Sequence, residues 1–267
     1  MNYLSEIIQF NKFAKLHNGE NILFCKTDYL FEFFDYLKQT NHNIPTILIS
    51  GNSDYPITDD LVRLAPPCIK KWFAQSAITD HPMVTGMPYG IDNHEDCIIP
   101  GHGKGWPDSE KKLSFLANPP SRDPKEEIYA NFSLGTHPVR QEIYDICKEI
   151  PYITKSISLS HEESNDRSYT KYLADIINHK MSVCPRGNAP AETHRFWEVL
   201  YMNRVPIIKQ NKGNSYFTEL PAIVLEDWKQ LLDLDFLNSE YEKVKGNSRE
   251  MLKVSYWEKK ILDEHKQ

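Results

Sequence analysis

Short apolar runs bounded by Gly, Pro or Asp alternate along the chain with segments in which apolar residues recur every three or four positions. Residues 21–26 (NILFCK) are the first such run, of strand length, and residues 29–39 follow with Leu30, Phe33, Phe34 and Leu37 at helical spacing. Residues 45–50 (PTILIS) form a β-branched run closed by the turn signal Gly51-Asn52-Ser53-Asp54. Residues 68–75 and 84–88 predict two further short strands. Short apolar strands alternating with helices predict a parallel sheet covered on both faces.

The rhythm breaks over residues 93–124, a stretch rich in Pro and Gly that reads as an interdomain linker with a helix-like piece at 108–117. It then resumes. Residues 127–133, 180–184, 205–208 and 222–225 predict strands; residues 137–150, 168–178 and 190–202 predict helices. From residue 238 the chain is charged and helical in pattern, with Tyr241, Val244, Met251, Val254, Trp257 and Ile261 as apolar members. The division this suggests is an N-terminal Rossmann-like domain over 1–107, a second over 108–239, and a C-terminal helix over 240–267 packing back on the first. A cleft between two such halves takes its ligand at the carboxyl ends of the strands.

Composition narrows the picture. The 267 residues carry a formal net charge of -6. A chain built to hold duplex nucleic acid is usually basic over at least one face, so the charge argues against that partner. The five cysteines are odd in number and contain no C-x-x-C pair, which speaks for a reducing compartment, the cytoplasm, and against a zinc knuckle. No run approaches the length of a membrane span, so a soluble protein is expected. The ten histidines show neither H-x-x-x-H nor H-E-x-x-H spacing, so no structural or catalytic zinc is expected; no other metal and no cofactor is expected.

Two strand-to-helix loops carry the densest chemistry. Residues 184–198 (CPRGNAPAETHRFWE) place Gly187 where a backbone turns sharply and Pro190 where a helix opens, an arrangement suited to an anion. Arg186, His194 and Arg195 stand around it, and guanidinium groups match phosphate oxygens. Glu192, Arg195 and Glu198 follow at three-residue steps, which on one helix face describes either a ribose-binding carboxylate or a surface row of Glu–Arg pairs. Residues 131–140 (NFSLGTHPVR) offer Thr136 as a helix cap and Arg140 in the first turn, either a phosphate contact or a surface arginine. In the first half, Asp54 ends a strand as either a general base or an Asx turn. Asp233-Leu234-Asp235 is a D-x-D without a preceding strand and reads as surface helix, and the glycine-rich run 101–105 reads as linker.

The run 179–208, HKMSVCPRGNAPAETHRFWEVLYMNRVPII, resembles the signature of exostosin-like (GT47-type) glycosyltransferases, and YANFSLGTHPVR (129–140), SGNSDY (50–55) and KWFAQSAITDHPMVTGMPYGI (71–91) fit the same kind of enzyme in the same order. The resemblance implies a GT-B fold, two Rossmann-like domains facing each other across a cleft, with the donor held by the C-terminal one. It implies inverting, metal-independent transfer from a nucleoside-diphosphate sugar, UDP-sugar favoured, to a glycan hydroxyl. Carried over by position, Arg195 contacts the diphosphate and Glu198 the ribose; Arg186, Gly187 and Asn188 line the turn, Arg140 is a second phosphate contact and Asp54 the base. Ala189-Pro190-Ala191-Glu192 departs from the family's usual turn, which bears on Glu192. The rival readings are a nucleotide-sugar epimerase, a GDP-fucose-type or DNA-base glycosyltransferase, and a catalytically inactive nucleotide- or glycan-binding module.

Overall fold

The computed structural model describes residues 3–92, 109–159 and 169–266. The glycine-rich run 101–105, Cys97 and the domain boundary expected at 107 lie outside the described residues. Within them the strands form two all-parallel sheets. The first has the order β1 (Ile22–Lys26), β2 (Thr46–Gly51), β3 (Ile69–Ala74), β4 (Val84–Gly86). The second has β6 (Ile153–Lys155) at one edge, then β5 (Glu126–Ala130), β7 (His179–Val183), β8 (Val205–Lys209) and β9 (Ile223–Leu225). That second order reverses direction between β5 and β7, which is the topological switch point where open α/β sheets take ligands.

The helices follow the apolar spacing. In α1 (Leu30–Gln39) the buried residues Leu30, Phe34 and Leu37 recur at helical steps and cover one face of the first sheet. The short α2 (Asp59–Arg63) is capped by the Thr58 hydroxyl, which accepts from Leu61 N–H at 3.3 Å. Helix α3 (Ser109–Ala117) buries Leu113 and Leu116. Helices α4 (Val139–Cys147) and α5 (Tyr169–Asn178) cover the second sheet. Helix α6 (His194–Tyr201) is buried on every side from Phe196 to Leu200, because it lies between the two sheets rather than on a surface. Helix α7 (Leu234–Val244) leads to α8 (Val254–His265), which packs on β2 and on the 3-10 turns Tyr3–Glu6 and Lys12–Leu16 of the N-terminal half.

Three departures from the sequence reading have physical causes. The helix expected over 190–202 begins only at His194, because residues 188–191 form bends and Thr193 is extended. Glu192 therefore precedes the helix and shares no face of it with Arg195 and Glu198. Thr136 is not the N-cap of α4: it ends a 3-10 turn, and Pro138 holds the cap position. The D-x-D lies at the start of a helix as the sequence reading has it: Asp233 accepts the Phe236 N–H at 2.9 Å and caps α7. Strand β6, at the sheet edge and only three residues long, left too short an apolar run to read.

One apolar core runs through both halves. Ile47, Ile49 and Phe73 of the first sheet belong to the same cluster as Phe196, Trp197, Leu200 and Ile208 of the second and Trp257 of α8. Polar contacts reinforce it: Tyr201 Oη donates to Leu252 O at 2.7 Å and accepts from Ile8 N–H at 2.8 Å. Lys212 pairs with Asp80 at 2.8 Å, and Tyr216 Oη donates to Thr79 O at 2.5 Å. A large apolar interface of this kind holds two halves as one body.

Candidate active site

The loops after β5 and β7 flank the switch point and face the loops after β2 and β4 across a cavity of about 360 Å³. Asp54, Tyr89 and Asp92 line it from the N-terminal half; Asn131, Ser133, Thr136, Arg140, Tyr169, Tyr172 and the 187–195 loop line it from the other, with Glu198. Such a volume suits a nucleotide-sized ligand.

Arg140 is no surface residue. Only 5% exposed, it donates from Nε to Arg186 O and from Nη1 to Ser133 O, both at 3.0 Å. Those bonds fasten the two loops to each other. Burial, and then the nearby Arg195 guanidinium, press its pKa down to about 9, still protonated at neutral pH. Arg195 Nη2 reaches Asn131 Oδ1 at 3.5 Å and its guanidinium lies 6.0 Å from the Tyr172 ring, while its buried Nε has no hydrogen-bond partner. Two further buried donors, Ser133 Oγ and Thr193 Oγ1, also lack a partner. Thr193 is the N-cap of α6, yet its hydroxyl makes no capping bond. Buried polar atoms in folded proteins are almost always satisfied. The Arg195 Nε and two free hydroxyls are therefore donors without an acceptor on one cavity wall, and with the Arg140 guanidinium beside them they suit an anion.

His137 stands close by; burial, then the Arg186 and Arg140 charges, lower its pKa and so disfavour its charged form. Arg186 itself turns away. Its Nη2 donates to Asn188 O at 3.0 Å and Nε to Gly187 O at 3.3 Å, and it does not line the cavity. Gly187 does line it, although it does not use its conformational freedom: an added Cβ would meet nothing closer than Thr193 Cγ2 at 3.4 Å. Asn188 is exposed at the rim.

The carboxylates divide into three kinds. Glu198 is buried and accepts from Lys112 Nζ at 2.8 Å and Tyr169 Oη at 3.0 Å on Oε1, and from Tyr172 Oη at 2.7 Å on Oε2. Burial works against its charge, but Lys112 holds the carboxyl below its ordinary range. Lys112, 3% exposed, also binds Asp92 Oδ2 at 2.8 Å and stands 4.9 Å from the Tyr169 ring; despite burial, Asp92 and Glu198 keep its pKa raised. Glu192 is buried without a cation: Oε1 accepts the Tyr89 N–H at 3.1 Å, and burial pushes its pKa up to about 7. Asp54 is exposed at the opposite lip, on a loop whose backbone is fixed by Gln75 Oε1 accepting Asn52 N–H at 2.8 Å.

His194 bridges the halves. Nδ1 lies 2.8 Å from Gly90 O and Nε2 lies 3.1 Å from Asp92 Oδ1, with the Phe10 and Tyr89 rings edge-on. Gly90 holds this corner with φ +67°, and a Cβ there would come within 2.2 Å of Ile8 O.

Tyr89, Asp92, Lys112, Ser133, Tyr169, Tyr172 and Thr193 were not singled out from the sequence. Ser133 and Thr193 sit inside the two loops that were, and their signal was position alone. Lys112 gave none, since its partners are remote in sequence.

No family model and no characterised protein sequence matches the chain. Solved structures do. An α,α-trehalose 6-phosphate synthase from Burkholderia multivorans superposes with a TM-score of 0.51 over 95% of this chain and 72% of that one, at 10% identity. The UDP-forming α,α-trehalose-phosphate synthase from Burkholderia vietnamiensis gives 0.51 over 95% and 73%, at 11% identity. The fold is GT-B. An α1,3-fucosyltransferase aligns over 99% of this chain and 93% of its own at 14% identity, with a TM-score of 0.45. Identities this low establish the architecture alone. No helix among the described residues is long and apolar enough to cross a membrane.

Proposed function

We propose that the chain is a glycosyltransferase that moves a sugar from a nucleoside-diphosphate sugar to a hydroxyl of a glycan. The observation that carries this reading is the set of unsatisfied donors on Arg195, Ser133 and Thr193, with the Arg140 charge beside them, at the switch point of a GT-B sheet. A diphosphate supplies acceptors for those three donors, and they and the two arginine charges stabilise the charge that develops on it as it leaves. A UDP-sugar is the favoured donor, supported by the UDP-forming name of one structural neighbour and by the exostosin-like block at 179–208.

In this reading residues 1–107 form the acceptor side, 108–239 the donor side, and 240–267 return to the first, in a cytoplasmic enzyme. Glu198 meets the ribose through Oε2, which accepts from Tyr172 alone among the described contacts, while Lys112 and Tyr169 fix Oε1. Asp54, across the cavity from the arginines, removes the acceptor proton as the hydroxyl attacks with inversion. The arginines neutralise the leaving group, so the mechanism runs without a divalent metal.

The test is nucleoside-diphosphate release from UDP- and GDP-sugars, with and without an acceptor glycan, in the presence of a chelator. Release of one nucleotide class that survives the chelator and stops in Asp54→Asn supports the assignment. Absence of release from every donor refutes it; donor binding without release identifies an inactive binding module.

A further inference from the structure

The exposed large aromatic side chains among the described residues, Tyr29, Phe31, Tyr36 and Tyr55, all belong to the first two βα units. Tyr29 and Tyr55 are 59% and 63% exposed. They follow the carboxyl ends of adjacent strands, whose last residues Lys26 and Gly51 are register partners, so both rings stand on the edge of the sheet that faces the cleft. Tyr55 is the residue after Asp54, which lines the cavity.

The turns beneath the rings are fixed. Ser53 Oγ accepts the Tyr55 N–H at 3.2 Å, Tyr89 Oη donates to Ser53 O at 2.8 Å, and Asp28 is hydrogen-bonded by Ser53, which ties the turn after β1 to the turn after β2. Lys26 Nζ lies 3.3 Å from Asp28 Oδ2 and 5.8 Å from the centre of the Tyr29 ring. Aromatic faces on an immobilised backbone, set among carboxylates, match a molecule with apolar C–H faces and hydroxyl edges. The segments that carry the rings, residues 26–38 and 54–63, hold six carboxylates against Lys26, Lys38 and Arg63, a balance that repels a nucleic-acid strand or an anionic lipid surface.

We propose that Tyr55 and Tyr29 form a stacking platform for successive rings of an oligosaccharide acceptor whose reacting hydroxyl lies at Asp54. The proposal rests on the glycosyltransferase reading and makes it narrower: the acceptor is a chain of sugars, gripped beyond the unit that reacts. Tyr55 carries the ring nearest the cleft and Tyr29 the next one out.

Calorimetric titration with malto-, cello-, xylo- and chito-oligosaccharides of one to six units, without donor, tests it. One series is expected to bind at least tenfold more tightly as tetramer than as monomer. Tyr55→Ala weakens every member of that series at least tenfold, Tyr29→Ala weakens only the longer ones, and Tyr36→Ala leaves all unchanged. Thermal stabilisation by a nucleotide sugar, measured on the same variants, is expected to be equal throughout. Saccharides that bind in a protein unresponsive to nucleotides would retain the platform and remove the transferase reading. Failure of all four series, affinity independent of chain length, equal binding by Tyr55→Ala, or a self-association abolished by that substitution would overturn the platform itself.

Discussion

The Lys112 ammonium lies 2.8 Å from Glu198 Oε1, and neither side chain is exposed to water. Lys112 comes from the helix inside the break in the sequence rhythm, Glu198 from the helix between the two sheets. Asp92 completes the group from the end of the first half. Removing one partner of a buried pair strands the other charge, at a cost of about 3–5 kcal/mol. Lys112→Met is expected to lower the unfolding free energy in urea by about that much. Adding Glu198→Gln to it is expected to restore a large part, because it removes one of the stranded charges.

Ser133 and Thr193 give a sharper test of the site. A hydroxyl with no internal partner contributes nothing to the folded state, so Ser133→Ala and Thr193→Val are expected to leave stability within about 0.5 kcal/mol of the parent. Each removes one bond to a charged ligand, worth about 1.5 kcal/mol, so affinity for a nucleoside diphosphate falls about tenfold. Titration calorimetry alongside urea unfolding separates the two effects.

These two hydroxyls show where legibility ended. The strand-helix alternation, the two loops and the GT-B expectation followed from apolar periodicity and from the block at 179–208, because short range patterns encode them. Arg140 was left undecided between surface and ligand, since a first-turn position does not reveal that the side chain bends inward onto Ser133 O and Arg186 O. Glu192 was misplaced on a helix face, because the bends at 188–191 delay the helix and leave it against Tyr89 instead. The Lys112–Glu198–Asp92 group depends on three elements meeting, which no local spacing records.

Glu192 sets a pH dependence. Its folded pKa, about 7, is raised above the ordinary 4.5 by burial, so the folded state binds more protons than the unfolded state between those values. Its contribution is fully present below about pH 4.5 and lost as pH rises through about 7. The size is about 3 kcal/mol, from 1.36 kcal/mol per pKa unit. Urea stability of the parent minus that of Glu192→Gln, which keeps an acceptor for the Tyr89 N–H, is expected to fall over this window and to be flat above it.

The core shared by the two sheets predicts one cooperative unfolding event. Scanning calorimetry is expected to show a single transition whose calorimetric and van't Hoff enthalpies agree. Two resolved transitions would mean that Phe73, Trp197 and Trp257 do not bind the halves together.

The central claim is that this cavity holds the diphosphate of a nucleotide sugar. Thermal unfolding of the parent and of Arg195→Ala, with UDP-, GDP-, dTDP- and CMP-sugars in a chelator, tests it most directly. At about 100 times its dissociation constant a ligand adds about 2.7 kcal/mol, several degrees at roughly 2–4 °C per kcal/mol. The account predicts that shift for one nucleotide class, UDP first, and its loss in Arg195→Ala. No shift with any nucleotide, or an equal shift in both proteins, would contradict it.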